Sequence, residues 1–263
     1  MISVIIPTYK EPEYLDLCLR SIFEGRKHVG DEYEAEIIVV VDGYYELNKP
    51  ILDKYPDAKV LDLGENQGLS VATNWGVYNA SKEWIIVVND DNVFPKNWDN
   101  KLLSWCQKGI VVSLNQIEPK PSMFPQFIIE DLGKSPEEFD LEAFWEFEAK
   151  HYKPMELNGS TLPFLMNKYD YLAVGGWDVM YPSPHVVDWD FFLKCEYVGY
   201  VMKRAYINFY HFAGAATRKT PEQDMESTRK ELVAHEFFAN KWDSHAEHYQ
   251  LDNSKLLRKF RQN

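Results

Sequence analysis

The sequence predicts an α/β protein with a mainly parallel central sheet flanked by helices. Three observations lead there. Short, continuous, largely β-branched apolar runs recur in the first half of the chain. Stretches with helical spacing lie between them. Several of the runs stop abruptly at polar or acidic residues rather than fading out. Strands alternating with helices imply right-handed crossovers and hence parallel neighbours.

Ile2–Ile6 reads as a first buried strand, stopped by Pro7. Residues 13–23 place Leu15, Leu17, Cys18, Leu19, Ile22 and Phe23 at helical intervals. Glu36–Val41 is a second buried strand, ending in Asp42 and Gly43, and residues 59–63 form a short third one. Asn66, Gln67 and Gly68 form a turn, after which Ser70 caps a helix through Asn79. Trp84–Val88 is a fourth strand, bulky and continuous as befits burial on both faces. It ends in Asn89, Asp90, Asp91 and Asn92, poor strand formers, and Pro95 blocks further pairing.

Parallel strands put the endings at Thr8 and Tyr9, at Asp42, and at Asp90 and Asp91 on one edge. In open α/β sheets ligands bind at the carboxyl ends of strands. Adjacent carboxylates are costly without a compensating cation or donor, and their hard oxygens suit Mg²⁺ or Mn²⁺ beside phosphates. A solvated Asn/Asp turn would leave the same local trace. Gly68 permits close backbone approach, and the free N–H groups of the following helix suit an anion.

The 263 residues suit one large α/β domain, and the net charge of −13 argues against nucleic acid as partner. Cys18, Cys106 and Cys195 are far apart without metal-ligand spacing, as in reduced core residues. Met1 leads straight into a strand, and no apolar run approaches the roughly 18 residues of a membrane span. A cytoplasmic protein is the expectation. Near Asn115 the composition shifts to a connection punctuated by Pro119, Pro121 and Pro125, then an acidic, aromatic stretch to Glu148. The expected organisation is a catalytic domain over 1–220, with a nucleotide-binding half (1–115), an insertion or lid (116–157) and an acceptor half (158–220). A helical extension (221–263) follows. Its tail, from Lys255 to Arg261, is basic and amphipathic. It reads either as a solvated final helix or as a peripheral contact with an anionic membrane.

These residues resemble the family 2 glycosyltransferases of the GT-A fold. Ser3–Tyr9 is similar to that family's first strand and nucleotide loop, and Glu36–Gly43 to its second strand. Asn66–Gly68 with Ala72, Asn74 and Gly76 is similar to its Asn-x-Gly loop and helix, and Asp90–Asn92 to its DxD-type element. Val174–Asp178, Val187–Phe191 and Tyr210–Phe212 resemble its acceptor segment, its Glu-Asp-x-Asp element and its strand-end histidine. There are departures: Asn89 replaces the first DxD aspartate, Val187 a frequent glutamate, and Val41 the aspartate before Asp42.

The resemblance implies a transferase using a nucleoside-diphosphate sugar, UDP- or dTDP-linked by preference, and a glycan or lipid-linked acceptor. Pro7, Thr8, Tyr9, Asp42, Asn66, Gly68 and Asp90 would bind the nucleotide. Asp91 and His211 would hold Mn²⁺ or Mg²⁺. Asp188 would be the base of an inverting displacement, with Asp190 orienting its neighbours. Trp177 and Asp178 would form an acceptor platform, and the turn Asn158–Thr161 would approach the donor sugar. The departures motivate a second reading, a non-catalytic member that binds nucleotide-sugar or glycan. A nucleotidyltransferase would need a glycine-rich loop after the first strand, and residues 7–11 contain no glycine.

Overall fold

A computed structural model describes residues 1–27, 35–121, 126–157, 160–212 and 220–244. In chain order the elements are β1 (Ile2–Thr8), α1 (Pro12–Gly25), β2 (Glu36–Val41), α2 (Tyr45–Leu52), β3 (Lys59–Asp62), α3 (Leu69–Asn79), β4 (Trp84–Val87), β5 (Asn92–Val93) and α4 (Trp98–Leu103). They continue with β6 (Ile110–Glu118), β7 (Ile128–Ile129), α5 (Leu141–His151), β8 (Glu156–Leu157), β9 (Phe164–Asn167), α6 (Lys168–Val174), α7 (Val187–Val198), β10 (Val201–His211) and α8 (Pro221–Trp242).

One sheet runs through the molecule in the order β3-β2-β1-β4-β9-β6-β10-β5, with β7 added beside β6 and β8 beside β10. β1 is parallel to β2 and β4, and β6 is parallel to β10. β9 lies antiparallel between β4 and β6, so those two run the same way. The carboxyl ends of β1, β2, β4, β6 and β10 therefore share one edge. Alternation along the strands splits the core into two layers. Ile5, Val40, Ile85 and Val87 pack toward α3 and α7, while Ile6, Val39, Val41 and Ile86 pack toward α1 and α4. Both faces are covered, which is why the strands read as continuous apolar runs.

Several boundaries differ from the sequence expectation. Pro7 does not stop β1, whose pairing with β2 continues to Thr8 opposite Val41. The carbonyl of Ile5 accepts from Val88 on the β4 side, and that of Thr8 accepts from Asp42 on the β2 side. Pro7 thus faces β4 beyond their last paired residues, Ile5 and Val87, where its missing N–H costs nothing. The N-cap of α3 is Gly68 (φ 93°), not Ser70, and it supplies no side-chain cap bond. The shift near Asn115 falls inside β6, which continues to Glu118. Within the proposed insertion, α5 buries Phe144 and Trp145, and Trp145 Nε1 donates to the carbonyl of Phe94 at 2.9 Å. That helix is built into the core. α8 buries Ala234 and Phe238 but leaves Leu232 and Val233 exposed. The three cysteines are free, Cys18 and Cys195 in the core. Among the described residues, no helix is long and apolar enough to cross a membrane.

Candidate active site

The first half of the site is a pair of anchored carboxylates. β1 ends at Thr8, whose hydroxyl donates to Asp90 Oδ2 at 2.7 Å, tying the end of β4 to its neighbour. Burial and then the adjacent Asp91 push the Asp90 carboxyl up to about 7, against the Thr8 bond that lowers it. β2 ends at Asp42, which is 5% exposed. Its two oxygens accept the backbone N–H groups of Gln67 at 2.6 Å and Gly68 at 3.0 Å. Burial raises the Asp42 carboxyl, and these two donors oppose it. Asp42 therefore organises the Asn66–Gly68 loop that opens α3. Asn66 itself stands exposed on that loop.

Tyr9 and Tyr44 meet edge to face at 5.2 Å beside this loop, and the Lys10 ammonium lies over both rings at 4.7 and 4.5 Å. Buried Asn48 supports the corner by donating to the carbonyls of Tyr9 and Tyr44. Tyr44, in the left-handed region (φ 57°), was not among the expected residues. The sequence carries no periodic signal there.

The second half of the carboxylate edge comes from strands far away in sequence. Asp91 Oδ2 lies 3.6 Å from His211 Nε2, at the end of β10. Antiparallel pairing of Asn92 with His211 sets this approach. On its other side His211 Nδ1 is 2.9 Å from Glu118 Oε1, at the end of β6. Burial lowers the affinity of His211 for a proton, but Asp91 and Glu118 outweigh it and raise the imidazole above its ordinary value. Glu118, 6% exposed, was missed. Asn115 and Gln116 interrupt the apolar run before it, so the cue that marked Asp42 and Asp90 is blurred there.

Asp91 Oδ1 is buried and, among the described residues, has no hydrogen-bond partner. An orphaned carboxylate oxygen next to an imidazole fits a hard divalent cation whose remaining ligands come from phosphate and water. Among the described residues no cluster of three or more His, Cys, Asp or Glu side chains is arranged to hold a metal by itself. Asp91 and His211 are thus the side chains here that could contribute to holding such a cation, with its remaining ligands coming from outside the protein.

Asp188 sits half-buried in the first turn of α7, where burial pushes its carboxyl up to about 6 despite backbone N–H bonds from Trp189 and its own residue. The residue before α7, Val186, has φ 53°. Asp190, in the same turn and fully buried, accepts Trp242 Nε1 at 2.8 Å and pairs with Lys241 at 2.7 Å. It ties α7 to α8. Asp178 is engaged by the same lysine at 2.6 Å. Burial raises its carboxyl, but the Lys241 bond and the Met180 N–H win and hold it low. Trp177 is 1% exposed and belongs to the core, so its ring is no stacking platform. Its backbone explains the segment. Asn74 of α3 accepts the N–H of Trp177 at 2.9 Å, donates to its carbonyl at 2.8 Å, and takes the Tyr171 hydroxyl at 2.6 Å. A Cβ on Gly176 would meet Asn74 Oδ1 at 2.5 Å, which is why that position has none. His185, between Ser183 and Ser227, is a loop residue bonded to both. The Asn158–Gly159 turn and the basic tail lie outside the described residues.

The arrangement agrees with comparison to known proteins. Residues 3–159 match the family model described as glycosyl transferase family 2. Glycosyltransferase GlyA of Streptococcus pneumoniae is 35% identical over 101 residues, 37% of this chain and 14% of that one. An uncharacterized glycosyltransferase of Mycoplasma genitalium is 27% identical over 115 residues, 41% of this chain and 37% of that one. The chain thus spans well under half the length of these curated relatives. Among solved structures, S. aureus TarS 1–349 in complex with UDP superimposes with a TM-score of 0.56 at 18% identity, covering 92% of this chain and 72% of that one. The mannosyltransferase PcManGT of Pyrobaculum calidifontis, in complex with GDP-Man and Mn²⁺, gives 0.60 at 18% identity, covering 98% and 72%. These likenesses establish the GT-A fold. With the family model matching more than half of its length, this chain belongs to glycosyl transferase family 2.

Proposed function

We propose that the chain transfers a sugar from a nucleoside-diphosphate sugar to a hydroxyl of a glycan or lipid-linked acceptor, with inversion and with a divalent cation. The observation that carries this reading is the sheet edge itself. Asp90 is anchored by Thr8, and beside it Asp91 has Oδ2 3.6 Å from His211 and a buried Oδ1 with no hydrogen-bond partner among the described residues. The Tyr9–Tyr44 corner and the loop that Asp42 organises flank the same strand ends.

In this reading the Tyr9–Tyr44 corner takes the base of the nucleotide, and Asp90 takes the ribose. Backbone N–H groups at the start of α3 face the anionic part of the donor. Asp91 and His211 would hold Mn²⁺ or Mg²⁺, which supplies positive charge to the departing diphosphate. Asp188 accepts the proton of the acceptor hydroxyl as that oxygen attacks the anomeric carbon. A carboxyl lifted toward 6 is a stronger base than an ordinary aspartate, yet is still ionised at neutral pH. Asp178 and Asp190 are already occupied by Lys241 and are not free to share that role. Donor preference rests on the family resemblance alone, with UDP- or dTDP-sugars tested first and a GDP-sugar alongside.

The test is a thermal-shift panel of UDP, dTDP, GDP and CDP, each with Mn²⁺ and with EDTA, followed by donor hydrolysis with the nucleotide that binds. A ligand that binds only the folded state raises Tm by mass action. A metal-dependent shift with one nucleotide and turnover of its sugar is the expected result. Binding without turnover under any acceptor condition would replace this reading with a nucleotide-sugar-binding role. No shift at all would remove the donor site.

A further inference from the structure

β6 and β10 are parallel neighbours in register, with Ile117 opposite Tyr210. One step further their last residues, Glu118 and His211, stand side by side at the edge that carries Asp91. The Glu118 carboxylate is buried and is bonded to one nitrogen of the ring, Nδ1, at 2.9 Å. The other nitrogen, Nε2, faces Asp91 Oδ2 at 3.6 Å. The imidazole therefore stands between the two carboxylates, and Glu118 is on the far side of it from Asp91.

A carboxylate only accepts hydrogen bonds, so the Nδ1 it faces must carry the proton. In the neutral ring this leaves the lone pair on Nε2, pointing at Asp91. Histidines that ligate metals are ordinarily fixed this way by an outer carboxylate or carbonyl. Without Glu118 both tautomers and both ring flips are open to His211. Burial of Glu118 sharpens the argument, because a buried carboxylate is costly unless it is bonded. Its place is explained by His211.

We propose that Glu118 is a positioning residue of the donor site, holding His211 in the Nδ1–H tautomer so that Nε2, with Asp91, faces the divalent cation of a bound nucleoside diphosphate. This rests on the reading of Asp91 and His211 as the cation-binding pair. Glu118 touches neither cation nor substrate and acts through the ring.

Two readouts test it. Long-range ¹H–¹⁵N NMR of the metal-free protein, with His211 assigned against His211→Gln, reports the tautomer directly. The wild type should carry the proton on Nδ1, and Glu118→Ala should lose that preference. Mn²⁺ titration followed by EPR, in the presence of UDP and separately of GDP, reports the site. Glu118→Ala should weaken Mn²⁺ binding by about 10- to 100-fold. Glu118→Gln, which keeps an acceptor oxygen without the charge, should fall between it and the wild type. Glu118→Gln also carries the test if the alanine variant does not fold. At a pH where the ring is neutral, a wild-type proton on Nε2 rather than Nδ1 would overturn the proposal. So would unchanged Mn²⁺ affinity in the Glu118 variants while Asp91→Asn abolishes it, an outcome that leaves the Asp91–His211 pair standing. If the wild type binds no Mn²⁺ with either nucleotide, the cation reading falls and this role falls with it.

Discussion

Thr8 and Asp90, 82 positions apart, are joined by a 2.7 Å hydrogen bond across the ends of two adjacent parallel strands. The bond orients one carboxylate while its neighbour Asp91 stays directed elsewhere. Thr8→Val keeps the shape and removes the donor. Expected is a loss of about tenfold in nucleotide affinity with little change in the fold, since bonds to charged groups contribute about 1.5–3 kcal/mol. Calorimetric titration of the nucleotide identified in the thermal-shift panel measures it. Unaltered affinity would mean that Asp90 does not need this anchor to bind the donor.

Asp188→Asn should reduce transfer at least about 100-fold, the usual contribution of a positioned base, and leave the donor KM within about twofold. The wild-type rate should fall on the acid side with an apparent value near 6. The same group makes a stability prediction of definite sign. Its raised value means that between about pH 4 and 6 the folded chain holds a proton the unfolded chain has released, so stability falls as pH rises through that window. Asp188→Asn should therefore melt higher than the wild type at pH 7.5, and the difference should shrink by pH 4.5. A variant that is slower only through a raised donor KM would place Asp188 in binding rather than catalysis.

The proposed metal dependence rests on Asp91. EDTA should abolish transfer and Mn²⁺ should restore it in the wild type, whereas Asp91→Asn should not recover at any Mn²⁺ concentration that saturates the wild type. Full activity in EDTA would leave the positive charge at the diphosphate to protein side chains.

Lys241 bridges Asp178 and fully buried Asp190 at 2.6 and 2.7 Å. Lys241→Met removes the cation and leaves a buried carboxylate with a reduced set of partners. The expected cost is about 3 kcal/mol, read from urea unfolding. An equally stable variant would show that Trp242, together with Lys194, whose Nζ lies 3.7 Å from Asp190 Oδ2, suffices to hold Asp190.

Gly76 packs α3 on the sheet so closely that a Cβ would stand 2.5 Å from Ile5 Cγ2 and 2.9 Å from Val40 Cγ2. Gly76→Ala should therefore destabilise by about 1–3 kcal/mol, the usual cost of overpacking, against the small gain in helix propensity. A more stable variant would mean that the strand side chains can move aside.

The strands of the first half were legible because both faces are buried, and β2 ends where its apolar run does, at Val41. What the sequence hid was set by partners distant along the chain. Pro7 looked like a strand terminator, but only the neighbour that stops short lies on its side. β5 is two residues long and exists because β10 returns beside it. The helix α2 has Pro50 inside it and no propensity signal to announce it. Trp177 resembled a sugar platform, yet its ring completes the core layer under α7. Glu118 was hidden for the same reason as β5. Its meaning comes from a histidine 93 residues away, and nothing local in a Pro-rich stretch points to it. Asp42, Asp90 and Asp91 were found because each follows an apolar run whose end is visible without a partner.

The clamp that Asn74 places on Trp177 has a consequence for anyone recombining this protein. Asn74 belongs to α3, which follows the Asn66–Gly68 loop, whereas Gly176 and Trp177 lie about 100 residues later, in the second half of the chain. A chimera joining the first half of one relative to the second half of another, with the crossover anywhere between, exchanges one side of this contact without the other. Any side chain arriving at 176 collides with the amide, and any shorter residue at 74 strands two peptide groups and a tyrosine hydroxyl. The two halves of the chain can thus be exchanged between relatives only if positions 74 and 176 travel as one inherited unit.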